Sequence, residues 1–179
     1  MQNKLLNKFF FLIYVLLSQI NFHYKIRFID IILNKIRMNL LRICGAKIGK
    51  NSSIHPNVML INPQNISLGD NTNIGSNSEI FNYSELIIGD NVDIGTQFYI
   101  NTNNHIIKDQ NKPLAYQGTI SKKIVIGSDI WIGARVTILS NVKINDRVVI
   151  GAGSLVNKDL ESGYLYAGSP AVLKKKLSD

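Results

Sequence analysis

Residues 126–150 read IGSDIWIGARVTILSNVKINDRVVI, with Ile126, Ile132, Ile138, Ile144 and Ile150 falling at every sixth position. Six is neither the 3.6-residue period of a helix nor the two-residue alternation of a strand. One more step lands on Val156. Toward the N-terminus the same beat gives Ile88, Ile94 and Ile100, then Leu68, Ile74 and Ile80, then Ile48, Ile54 and Leu60. A short fixed repeat marks a solenoid, and a repeat of six suits a parallel β-helix. Each hexad then makes a short strand and a turn, and three hexads close a triangular coil. The recurring aliphatic points inward, so that stacked coils share a core that none could bury alone.

The interruptions obey the same geometry. Two extra residues separate Leu60 from Leu68, and two more separate Ile80 from Ile88, each time after three hexads. Both excesses therefore bulge from one corner of successive coils. Between Ile100 and Ile126 a much longer insertion leaves from that corner again. With backbones about 4.8 Å apart, roughly six coils make a prism about 25–30 Å tall. A long loop in so regular an object is the place to look for function.

Charge divides the 179-residue chain in two. Residues 1–50 hold nine Lys or Arg against Asp30 alone, whereas residues 51–179 hold eleven of each sign. The net +8 belongs to the N-terminal segment, and a neutral solenoid is not expected to bind nucleic acid. Cys44 is the one cysteine, which excludes an intrachain disulfide, fits a reducing compartment and reads as apolar filler.

Phe9–Leu17 is an unbroken apolar run of nine residues, short of the ~20 that cross a bilayer. Lys4 and Lys8 before it resemble the opening of a signal peptide, but no small-x-small cleavage site follows. Farther on, Ile26, Ile29, Leu33, Ile36 and Leu40 recur at helical spacing among basic residues. The expected organisation is a basic, apolar helical segment over residues 1–45, a solenoid over 46–165 carrying the loop 101–125, and a C-terminal tail over 166–179. Residues 22–45 are expected to cap the first coil, and residues 1–20 to attach to a membrane surface.

The loop begins Asn101-Thr102-Asn103-Asn104-His105. A histidine alone in a loop is usually a solvated side chain. At the root of the one long insertion, an imidazole is well placed to take a proton from a hydroxyl in a cleft between neighbouring prisms. His23 lies in the helical segment, and His55 decorates a turn. The Asp residues at 70, 90 and 146 sit in turns that explain them without catalysis. No zinc-ligand pattern, phosphate-binding P-loop or GxSxG elbow is present, and no metal is expected. Near the C-terminus, Gly151, Ala152, Gly153, Ala167, Gly168 and Ser169 are small enough to let a long ligand lie against the backbone, with Lys158 and Lys174–Lys176 placed for phosphates.

Taken together, the hexads, the His-bearing loop, IWIG (130–133), VIGAGSLVNKD (149–159) and AGSPA (167–171) resemble the hexapeptide-repeat acyltransferases. The likeness is strongest to the maltose/galactoside acetyltransferase branch and the enzymes that O-acetylate capsule, exopolysaccharide or O-antigen sugars. It covers about residues 45–176. It implies an all-β solenoid coiled in a left-handed sense, a homotrimer with sites between subunits, and acetyl-CoA as co-substrate lying along the groove. His105 matches the general base, with direct attack of the acceptor hydroxyl on the thioester. Trp131 matches the residue lining the pantetheine end of the site, serving acceptor and coenzyme alike. Ala134, Gly151, Ala152, Asn157, Lys158, Gly168, Lys174 and Lys175 match the coenzyme-binding region. Asn82 and Asn104 are expected at the acceptor, a nucleotide sugar, oligosaccharide or lipid-linked glycan. The expected location is cytoplasmic, on the inner face of the membrane.

Several positions depart from the pattern. Ala134 stands where Ser or Gly is common, Asn157 where Thr is usual, and Val172 where an arginine is expected. The Asn-Asn-His sequence argues against maltose and galactosides as the substrates themselves. Serine and antibiotic acetyltransferases of the same fold, and a non-enzymatic scaffold, remain alternatives at this point.

Overall fold

The computed structural model describes residues 2–20 and 27–178; His23 lies outside them. Two helices, α1 (Gln2–Ser18) and α2 (Arg27–Ile43), precede a three-faced coil of short parallel strands. On the first face Ile48, Leu68, Ile88, Ile126 and Ile144 stack in register. The second face stacks Ile54, Ile74, Ile94, Ile132, Ile150 and then Tyr166. Leu60, Ile80, Ile100, Ile138 and Val156 form the column of the third. Apart from Tyr166 these are the residues of the six-beat, and all are buried except Ile48, which is half-buried. Every aliphatic thus meets its equivalent in the coils above and below, and one continuous core runs the length of the prism.

The corners explain the polar residues. Among the described residues ten non-glycine residues adopt the left-handed backbone region, and six of them are asparagine: Asn51, Asn57, Asn71, Asn77, Asn91 and Asn141. Asn tolerates positive φ because its short amide bonds locally, so a chain that must turn at every hexad accumulates it. The amides also bond along the prism, from Asn51 Nδ2 to Asn71 Oδ1 at 3.3 Å and from Asn71 Nδ2 to Asn91 Oδ1 at 3.2 Å. Buried hydroxyls tie coils together in the same direction. Ser52 Oγ donates to Gly69 O (2.6 Å) and accepts from Thr72 N (2.9 Å). Glycine follows many inward aliphatics because the neighbouring coil leaves no room for more. A Cβ on Gly133 would lie 2.6 Å from Ala152 N.

Both ends of the stack are covered. At the start, α2 packs on the first strands of the first and second faces, and Met38, Leu40 and Leu41 join the core. Helix α1 packs on α2, burying Tyr14 and Ser18, and Ser18 O accepts a 2.7 Å bond from Asn57 N. Cys44 is buried, its Sγ donating to Asn7 O (3.5 Å), and burial pushes its thiol up, away from the reactive thiolate. Arg37 is buried beside Tyr14 and Asp30; burial lowers its pKa while those two groups oppose the shift. At the far end Val172–Lys176 folds back antiparallel on Tyr164–Ala167, closing the free edge of the second face.

Candidate active site

The insertion leaves the corner between the third and first faces as an antiparallel ribbon. Asn103–His105 pairs with Thr119–Ser121, setting Asn104 opposite Ile120 and His105 opposite Thr119. Its root is bonded on every side. Thr102 is fully buried; its Oγ1 accepts from Ser84 N (2.9 Å) and donates to Phe81 O (3.3 Å). Its carbonyl accepts from Lys122 N (2.8 Å) and Ser140 Oγ (2.9 Å). At the tip, Gln117 Nε2 donates to Asp109 O and Lys112 O, each at 2.8 Å, and closes the bend. The ribbon therefore holds His105 out from the prism on a fixed base. The imidazole is exposed and makes no hydrogen bond among the described residues, while Asn104 Oδ1 accepts from His105 N (2.9 Å).

Trp131 sits elsewhere. It projects from the middle of the second face, 59% exposed, between Asp93 and Val149 in register. An open hollow of about 710 Å³ lies beside it, lined also by Asp129, Arg147 and the tail residues Leu177 and Ser178. In a three-sided prism the second face is opposite the corner between the third and first. His105 and Trp131 of one chain thus stand on opposite sides of the molecule.

The remaining candidates divide the same way. Ala134, Gly151, Ala152 and Gly168 follow strands of the second face and line its corner with the third. Asn157 and Lys158 follow a strand of the third face, on the side where the ribbon emerges, and both are exposed. Lys174 and Lys175 are exposed on the final strand beside the second face. Two small residues have structural reasons for their size: a Cβ on Gly151 would meet Ala167 Cβ at 2.9 Å, and Gly153 holds φ +70°. His55 lies at the first corner of the second face, lining a hollow of about 620 Å³ against α2, far from the ribbon in chain topology.

Asn82 requires a correction. It is 0% exposed, so it offers nothing to an acceptor. Its Nδ2 donates to Asn62 O (2.5 Å) and its Oδ1 accepts from Asn62 N (3.2 Å). Its carbonyl accepts from Asn62 Nδ2 (3.2 Å) and Asn65 Nδ2 (3.1 Å). This amide clips together the two corners widened by extra residues. An Asn82→Ala variant should lose about 2–4 kcal/mol, because Asn62 N and O are left unpaired inside the protein. For a domain of this size that lowers Tm by roughly 5–12 °C in a thermal melt. A raised acceptor KM with unchanged Tm would instead restore Asn82 to the acceptor site. Thr102 was the complementary omission: a Thr before Asn-Asn-His gives no signal except its place at the root of the insertion.

Comparison with known proteins settles the family. The model "Bacterial transferase hexapeptide (six repeats)" matches residues 123–158, and "Hexapeptide repeat of succinyl-transferase" matches residues 65–101. WcaF of Escherichia coli K12, assigned as a colanic acid biosynthesis acetyltransferase, is 34% identical over 142 residues, 79% of this chain and 75% of its own length. The chain belongs to the hexapeptide-repeat acetyltransferase family. Its chemistry is therefore acyl transfer. A galactoside O-acetyltransferase of Lactococcus lactis is 42% identical over 59 residues, 33% of this chain, and the match spans only 28% of that relative. Two solved structures of the family superpose closely. The hexapeptide-repeat acetyltransferase VCA0836 of Vibrio cholerae, in complex with acetyl coenzyme A, gives a TM-score of 0.78 at 30% identity, over 93% of this chain and 84% of its own. A maltose O-acetyltransferase from Clostridium difficile gives 0.79 at 26% identity, over 97% and 87%. A coil of the opposite hand could not superpose so well on this family's left-handed β-helix.

Proposed function

We propose that this acyltransferase moves an acetyl group from acetyl-CoA to a sugar hydroxyl, in the assembly of a surface polysaccharide such as a capsule, exopolysaccharide or O-antigen. Support for the donor comes from the Vibrio cholerae relative, whose structure holds acetyl coenzyme A. Support for the acceptor comes from WcaF, whose match extends over most of both chains, while the match to the galactoside enzyme is confined to a third of this one. The observation that carries the mechanism is the fixed ribbon presenting an exposed imidazole at His105, unbonded among the described residues.

In this reading His105 takes the proton of the acceptor hydroxyl as its oxygen attacks the thioester carbonyl. The tetrahedral intermediate then collapses to acetyl ester, and the proton on the imidazolium passes to the departing coenzyme A sulfur. No acyl-enzyme is formed. A backbone N–H or amide facing the carbonyl would hold the transient oxyanion.

The site is shared between copies of the chain in a homotrimer. One copy contributes His105 with Asn157 and Lys158; its neighbour contributes Trp131 with Ala134 and Ala152, the coenzyme lying in the groove between them. The opposite placement of His105 and Trp131 supports this arrangement. So do Ile107, Leu114, Tyr116 and Ile120, apolar side chains that the ribbon leaves exposed in a single chain, Tyr116 by 73%.

Thiol release from acetyl-CoA, followed with a panel of nucleotide sugars, oligosaccharides, serine and chloramphenicol, tests the reading. Release that depends on a carbohydrate is expected. Release with serine or chloramphenicol alone would move the acceptor to another class, and absence of acetyl-CoA binding would remove the enzymatic reading.

A further inference from the structure

Helix α1 is apolar on two opposite sides, and only one of them is used. Tyr14 and Ser18 are buried, and Phe10, Phe11, Ile13 and Leu17 pack against the core. Half a turn away, Leu5, Phe9, Leu12 and Leu16 recur at intervals of three or four residues, with Leu6 beside them and Ile20 just past the end of the helix. All six are exposed, Leu5 by 74% and Leu16 by 61%. A helix that is apolar all round belongs inside a protein or against another apolar phase. A contiguous exposed stripe of this kind marks an interaction surface.

We propose that this outer face of α1 lies on an anionic lipid bilayer. Charge decides between lipid and a second copy of the chain. Residues 1–50 carry nine Lys or Arg, and their lone acid, Asp30, is already held near the buried Arg37. Two such faces meeting would bring cations together with no acid between them. A bilayer bearing anionic headgroups offers an apolar phase to the stripe and counter-charges to Lys8, which is exposed on α1, and to the lysines that follow α2, Lys47 and Lys50. Spanning is not involved: among the described residues no helix is long and apolar enough to cross a membrane. At 17 residues α1 is about 25 Å long, suited to lying in the interface plane. The helix is also fixed to the body through Ser18 O with Asn57 N and through Asn7 O with Cys44 Sγ, so its binding would orient the whole prism at the surface. Nothing in this depends on the acetyl-transfer reading, though it would place such an enzyme beside glycans still attached to a lipid carrier.

The test is flotation of the full-length protein with phosphatidylcholine vesicles containing about 30% phosphatidylglycerol, in parallel with pure phosphatidylcholine. The wild type is expected to float with the anionic vesicles and to be at least tenfold less bound to the neutral ones. The double variant Leu12→Glu/Leu16→Glu should lose at least tenfold in bound fraction while keeping the wild-type thermal melt and sedimentation mass. Lys4→Glu/Lys8→Glu, which leaves the apolar stripe intact, should also detach and so guards against a folding artefact. Wild-type protein that stays at the bottom of the gradient overturns the proposal. Glutamate variants that float like wild type overturn it as well, and a fall in sedimentation mass would show that the face seats a second copy.

Discussion

His105→Ala is expected to lower kcat by about 10²- to 10⁴-fold while leaving acetyl-CoA affinity unchanged. That corresponds to roughly 3–5 kcal/mol of transition-state stabilisation, the usual worth of a positioned general base. The structure makes this substitution unusually clean. The imidazole is exposed, makes no hydrogen bond among the described residues and packs in no core, so its removal should shift Tm by no more than about 1 °C. A loss of kcat with an intact melt and an intact coenzyme Kd assigns the role to chemistry. A loss confined to KM for the acceptor would make His105 a binding residue, and near-normal kcat would transfer the base to another group. Thr102 offers a control on positioning. Its hydroxyl and carbonyl bond the root of the ribbon to the coil below and to the return strand, so a lesion there should reach His105 only through its geometry.

What the sequence made legible was everything enforced at each repeat. An inward position must be aliphatic in every coil because it touches its equivalent above and below, so the six-beat named the core columns directly. The place where the beat fails named the ribbon and its histidine for the same reason. Single residues with a choice of surroundings were harder to read. Asn82 looks like a polar residue in an exposed corner, and nothing in one sequence says that Asn62 and Asn65 close over it. The asparagines at 51, 57, 71, 77, 91 and 141 look like ordinary surface polar residues, yet each stands where the corner needs positive φ. The small residues at Gly151 and Gly153 look like an opening for a ligand; coil stacking and a left-handed turn account for both. In α1 the unbroken run FFFLIYVLL hides two faces, because nine apolar residues in a row carry no periodicity to separate them.

Mixed oligomers give the largest contrast after His105 itself. His105→Ala removes the base from one half of the proposed shared site, and Ala152→Glu places bulk and negative charge in the other half, at an exposed corner where the fold should tolerate it. Each variant alone should be inactive. In an oligomer assembled at random from equal amounts, a site is competent when its histidine comes from the Ala152→Glu chain and its groove from the His105→Ala chain. That holds for about one site in four, so activity should return to about a quarter of wild type. The recovery should appear only after the two chains are co-expressed or refolded together, because simple mixing leaves each assembly uniform. If base and groove belonged to one chain, every site in the mixture would carry one lesion or the other, and no activity would return. The expectation rests on topology alone: the insertion leaves one corner of the prism, Trp131 projects from the opposite face, and a single chain cannot bring the two together.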